Sequence, residues 1–160
     1  MGKIKQPQLT QAANIELPNE MLVDLMMDVL ARGSRFKFQA KGASMSPFIR
    51  DGDTLTIVPL EQLKPAVGRV VACINPQSQK LIVHRIVTAD NTSFLIKGDN
   101  SAAQYDGWIP REKILGMVTK VERGAQQIKL GLGVERWLIA FLSKQGLLMR
   151  IINRLRRIIQ

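Results

Sequence analysis

At 160 residues, 46% hydrophobic and 22% charged, the chain has the composition of a folded protein with one sizeable core, not of a disordered one. A single cysteine, Cys73, and a single histidine, His84, exclude disulfide scaffolds and Cys/His metal clusters, and no glycine-rich phosphate loop precedes a helix, so no cofactor is implied. The net charge of +10 is uneven: no acidic residue follows Glu135, whereas Arg136, Lys144, Arg150, Arg154, Arg156 and Arg157 do.

In chain order, residues 1–17 read as a loose leader. Lys3 and Lys5 lead into the polar Gln6-Pro7-Gln8, so no secretory signal is expected. No apolar run approaches the ~18 residues needed to cross a bilayer. An amphipathic helix is expected over 18–33, with Asn19 as N-cap, Leu22, Leu25, Met26 and Val29 on one face, and Gly33 as terminator. Phe36, Phe38 and Ala40 then alternate with Arg35, Lys37 and Gln39, the period of a half-buried strand. Further strands are expected over 54–58, 69–74, 81–87, 94–97, 114–121 and 126–130, where β-branched and apolar residues concentrate. Asp51-Gly52-Asp53, Asn75-Pro76, Ala89-Asp90-Asn91 and Arg123-Gly124 punctuate them. Cys73, inside an apolar run, reads as a buried thiol, and Trp108 as a core anchor, with a groove wall as its alternative. Residues 34–131 therefore read as one mainly β unit.

The tail, 134–160, is helical in pattern. Phe141, Leu148, Ile152, Leu155 and Ile159 can share a face, with Arg150, Asn153, Arg154 and Arg157 largely opposite, and Gly146 can divide it into two helices. An apolar stripe bordered by arginines, with Trp137 at its start, suits a helix lying in a membrane surface through residues 137–160. Packing on its own domain or on a partner is the other reading. Nucleic acid is not the expected partner, because Trp137 and Phe141 precede the arginines instead of interleaving with them. The expected location is peripheral, at the cytoplasmic face of a membrane, with the cytoplasm as the alternative.

Three short segments carry chemistry: Gly42-Ala43-Ser44-Met45-Ser46-Pro47 before Gly52-Asp53, Val83-His84-Arg85, and Lys97-Gly98-Asp99-Asn100. A serine attacks a carbonyl only when a base takes its proton, and imidazole is the usual base near neutral pH. A carboxylate can then orient the imidazole and stabilise its cation. Each segment alone is a common turn or strand pattern. Together, in this order and with strand-like spacers, they are far more specific.

Over roughly residues 42–121 the arrangement resembles the signal peptidase I superfamily and, within it, the endoplasmic-reticulum and archaeal type, in which histidine serves where most bacterial members use lysine. The resemblance implies a mainly β fold built on a strongly bent, barrel-like sheet. It implies Ser44 as nucleophile and His84 as general base. Asp106 is favoured over Asp99 as the third member, Asp99 then supporting the site structurally. Gly42, Ala43, Met45, Pro47 and Asp53 would shape the turn around the nucleophile, with the Ser44 N–H as oxyanion donor. Two departures stand out. Many relatives carry a hydroxyl two residues before the nucleophile, where this chain has Gly42. Classical signal peptidases also place a transmembrane helix before the serine motif, where this chain has the short helix. The related SOS-repressor autoproteases use a lysine base, for which Lys80 is the candidate. The implied activity is serine endopeptidase cleavage of a polypeptide with small residues beside the scissile bond. The alternatives are self-processing, at Ala12-Ala13 or Ala102-Ala103, and a catalytically inactive peptide-binding module.

Overall fold

The computed structural model describes residues 18–101 and 104–159. The leader with Ala12-Ala13, and Ala102-Ala103, lie outside the described residues. Among these residues the fold is mainly β: a single open antiparallel sheet of eight strands with three α-helices. The strands are β1 (Phe36–Gln39), β2 (Thr54–Val58), β3 (Val70–Ile74), β4 (Leu81–Ala89), β5 (Ser93–Lys97), β6 (Gly107–Pro110), β7 (Ile114–Arg123) and β8 (Gln126–Ile128). Their order is β1-β2-β7-β3-β4-β5-β6, with β8 paired to β7. Register shifts interrupt the β2–β7, β3–β7 and β4–β5 ladders, and such bulges bend and twist the strands that carry them. β3 lies near the centre, and its Val71, Ala72 and Cys73 are fully buried, as expected of an unbroken apolar run covered on both faces. Burial pushes the Cys73 thiol up and leaves it inert.

Helix α1 (Asn19–Ala31) buries Val23 and packs Met26 and Leu30, with Leu22 and Val29 beside them, against a core that includes Phe36, Leu55, Ile57, Val70 and Val121. Each such fully buried side chain contributes about 1.5–3 kcal/mol. Leu25, expected on this face, is 45% exposed: the stripe through Leu22, Val23, Met26, Val29 and Leu30 satisfies the helical period and leaves Leu25 to one side. Asn19 is the first helical residue, not the cap. Its side chain instead accepts the Leu81 N–H (2.9 Å) and donates to the Gln79 carbonyl (3.4 Å), stitching α1 to the start of β4. Gly33 terminates the helix as expected, in the left-handed region with φ 71°.

Trp108 also departs from its expected place. It lies on β6, opposite Leu95, and is 47% exposed, because β6 is the outer strand of the sheet. The C-terminal region forms α2 (Arg136–Lys144) and α3 (Leu148–Ile159), divided at Gly146. Ile139 and Leu148 bury against Phe48, with Leu142 and Ile152 at the margin. Phe141 does not share this face and stands 58% exposed. No helix among the described residues is long and apolar enough to cross a membrane.

The loop between β1 and β2 carries the serine motif, and its base is closed by backbone bonds. Ala40 N–H donates to Asp53 (2.8 Å) and Gly52 N–H to Ala40 (2.9 Å). The buried Asp53 carboxylate reinforces the closure, accepting Nε and Nη2 of Arg123 and the Arg50 N–H, each at 2.8 Å. Burial alone would raise the Asp53 carboxyl, but these donors outweigh it and hold the group below its ordinary value. A carboxyl depressed by folding adds stability above its unfolded pKa, here near 3.8, and that stability disappears as pH falls through the folded value. Asp53→Asn is therefore expected to cost about 2 kcal/mol at neutral pH and to flatten the loss of stability below about pH 4. Urea unfolding at several pH values checks this; identical acid slopes in the two proteins would contradict it.

Candidate active site

Ser44 stands in the 40–53 loop, where a helical turn follows it: Ser46 N–H bonds to Ala43 O, and the N–H groups of Phe48 and Ile49 to Met45 O. Met45 is buried and anchors the turn in the core, its sulfur 3.5 Å from the Asp99 N–H. Pro47 follows a cis peptide bond from Ser46. Gly42 holds φ 85° and donates its N–H to the Asp51 carboxylate (2.8 Å). A Cβ there would meet nothing within 4 Å, so the glycine serves the backbone conformation and not a close approach.

β4 presents His84 toward this turn. His84 Nε2 lies 2.8 Å from Ser44 Oγ, and its Nδ1 lies 2.5 Å from Asp106 Oδ2. The imidazole is nearly buried, while Ser44 is exposed. Asp106 immediately precedes β6, and its N–H is bonded to Ile96 O on β5 (3.0 Å), which fixes the carboxylate beside the ring. With the ring proton on Nδ1 and donated to Asp106, Nε2 is free to accept the serine proton. This arrangement can activate a hydroxyl nucleophile and return the proton to a leaving group.

Asp99 is elsewhere. It is fully buried and joined to Arg85 by two bonds, Nε to Oδ1 (2.8 Å) and Nη2 to Oδ2 (2.7 Å). Nη1 of Arg85 donates to the carbonyls of Gly68 (2.7 Å) and Gly131 (2.8 Å). Lys80, the alternative base, is exposed and precedes β4; four residues of extended chain put it roughly 13 Å along from His84.

Lys97, Gly98 and Asn100 lie in a segment the sequence singles out, but their contacts, like those of Tyr105, come from the fold. Asn100 pins the serine loop twice, its N–H on Ser44 O (2.8 Å) and its side-chain amide on Ala43 O (3.0 Å). Gly98 passes so close that a Cβ would lie 2.8 Å from Ser44 O and 3.2 Å from His84 Nε2. Lys97 is buried and donates to Ser143 O at 2.6 Å, while Tyr105 donates to Lys144 O at 2.8 Å, so both hold the C-terminal end of α2. Burial draws the Lys97 ammonium below its usual value, against the pull of Asp99. One signal was available for Arg85: an arginine inside Leu81-Ile82-Val83-His84-Arg85-Ile86-Val87 demands a buried partner.

A groove of about 320 Å³ leads to Ser44 and His84, walled by Leu22, Phe38, Leu55, Leu81 and Val83. β1 is the end strand of the sheet, and β4 begins its pairing with β5 only at Arg85. The backbones of β1 and of residues 81–83 on β4 therefore flank the groove with sheet edges that no described strand occupies, the Leu81 N–H being taken by Asn19 Oδ1.

A serine, a base and a carboxylate at the end of such a groove define a hydrolase-like site. A family profile described as Peptidase S24-like matches residues 3–119, well over half of the chain, and the chain belongs to that family. The family is one of peptidases, with serine-type or self-cleaving activity. No curated protein sequence matches the chain.

Gly98→Ala tests the packing of the site. The added methyl must push on the backbone carbonyl of Ser44, and a displacement near 1 Å in a reacting group costs on the order of 10²-fold in rate. Serine-directed acylation is expected to fall by about that factor while the protein stays folded by circular dichroism; unchanged acylation would contradict the crowding.

Proposed function

We propose that the protein is a serine endopeptidase of the signal-peptidase type, with Ser44 as nucleophile, His84 as general base and Asp106 as the orienting carboxylate. The observation that carries this reading is the continuous Ser44–His84–Asp106 hydrogen-bond chain at the end of a groove bordered by open strand edges. The histidine base, in a family whose SOS-repressor members use lysine, is what favours the endoplasmic-reticulum and archaeal pattern. An extended polypeptide would lie between β1 and residues 81–83 of β4, bonding through its main chain as an added strand. Small residues beside the scissile bond would let its carbonyl reach Ser44.

In the first step Ser44 Oγ bonds to the carbonyl carbon and its proton passes to His84 Nε2. Asp106 stabilises the resulting imidazolium through Nδ1. The Ser44 N–H is the donor assigned to the oxyanion. His84 then protonates the departing amine, leaving an ester on Ser44, and next takes a proton from the water that cleaves it. Gly42 supplies no hydroxyl to the oxyanion, and one such donor is worth about 3 kcal/mol, so turnover should be slow by the standards of digestive proteases. Asp99, Asp53 and Met45 hold the framework and do no chemistry.

A second reading rests on Asn19, which lines the same groove as Ser44. The first residue of α1 therefore stands beside Ser44, and self-processing is the alternative outcome.

Both readings meet in one experiment: incubation with a mixed peptide library, with intact-mass analysis of the protein alongside. Cleavage after small residues is expected, with Ser44→Ala and His84→Ala each lowering kcat/KM by on the order of 10⁴-fold. Loss of mass from the protein itself, dependent on Ser44, would favour self-processing. Cleavage that persists undiminished in Ser44→Ala would overturn both.

A further inference from the structure

The surface least explained by the peptidase site is the outer face of the two C-terminal helices. On α2, Trp137, Leu138 and Phe141 are 52%, 60% and 58% exposed. Leu147, Ile151, Leu155 and Ile158 are exposed too, and their spacing of four, four and three residues draws one stripe along α3. Of the remaining apolar residues of α3, Leu148 is buried on the domain and Ile152 half-buried. Among the described residues, the fold thus covers one side of the helix and leaves an adjacent apolar side exposed.

Charge says what kind of surface would cover it. Arg150, Arg154 and Arg157 each precede a residue of the stripe and form a parallel row about 100° around the helix; Arg156 lies on its other flank. All four are exposed. No acidic residue occurs after Glu135 to neutralise them. A second copy seated on the stripe would bring two such rows together with no carboxylate between them, and like charges at that range repel. A bilayer with anionic headgroups takes both features at once: leucine and isoleucine enter the acyl boundary while the arginine stems reach up to the phosphates.

We propose that α2 and α3 form a docking surface for an anionic membrane, with α3 lying in the plane of the interface and the peptidase body held above it. The surface is independent of the catalytic assignment, since none of these side chains lines the groove.

The test uses the full chain and vesicles of phosphatidylcholine containing about a quarter phosphatidylserine, against vesicles of phosphatidylcholine alone. Co-sedimentation with the anionic vesicles is expected, weakening with salt, together with a blue shift of Trp137 emission in a Trp108→Phe background. Replacing Arg150, Arg154 and Arg157 by Gln should lower partitioning by about 10²-fold, near fivefold for each arginine. Leu155→Ser with Ile158→Ser should lower it at least ~10-fold without changing circular dichroism or acylation of Ser44. Failure of the folded protein to bind anionic vesicles would overturn the proposal. So would binding that survives the loss of Leu155 and Ile158. A dimer seen by light scattering that dissolves in that same double variant, with no vesicle binding, would assign the face to a second copy instead.

Discussion

The buried pair of Arg85 and Asp99 is the constraint on which the rest of the site depends. Taking a guanidinium and a carboxylate fully out of water is costly, and the cost is offset only when the geometry is bidentate and the remaining donors are used. Here both conditions hold, with Nη1 of Arg85 on the carbonyls of Gly68 and Gly131. Because side chains alternate along a strand, fixing Arg85 to one face of β4 fixes His84 to the other. The same pair holds the 97–100 segment against β4, which brings Gly98 under His84 and Asn100 onto the serine loop. One buried ion pair thereby sets the surroundings of Ser44 and His84.

The C-terminal helices are tied to that arrangement. Lys97 and Tyr105 both donate to carbonyls at the end of α2, and each is close in sequence to a site element: Lys97 next to Gly98, Tyr105 next to Asp106. Cationic and hydroxyl donors at a helix C-terminus satisfy carbonyls that have no partner within the helix. Gly131, which accepts from Arg85, lies just before α2 and is held in turn by the Glu135 carboxylate at 2.7 Å. The helical pair is thus fastened to the site through these bonds, while its outer apolar face stays exposed.

Much of this was legible in the residues. The alternation of Phe36, Phe38 and Ala40 marked β1, and the apolar run around Cys73 marked the buried β3, because burial on one or two faces writes itself directly into hydrophobic periodicity. β6 was missed because Gly107-Trp108-Ile109-Pro110 is short, begins with glycine and ends with proline; its identity comes from pairing with β5, which is not a local property. Asn19 read as a cap on local chemistry, yet its side chain found partners 60 and 62 residues away. The same holds for Asn100 and Gly98, whose roles are set by the approach of a loop far away in sequence. Residue types revealed which groups could react, and the fold decided which of them meet. Asp99 and Asp106 are equally good carboxylates in the sequence, and the structure puts them on opposite sides of β4's alternation, one on Arg85 and the other on His84.

The central claim is that Ser44 is activated by His84 and Asp106 acting together. It is tested most directly by the rate at which a fluorophosphonate probe, which phosphonylates an activated serine with loss of fluoride, labels the intact protein, compared with Ser44→Ala, His84→Ala, Asp106→Asn and Asp99→Asn. The account predicts covalent labelling at one site, abolished by loss of Ser44 or His84 and strongly slowed in Asp106→Asn. In Asp99→Asn labelling should fall with the order of the site, because the Arg85–Asp99 pair positions Gly98 and Asn100 around Ser44. Absence of labelling in well-folded wild type, or labelling that is indifferent to His84, would contradict it.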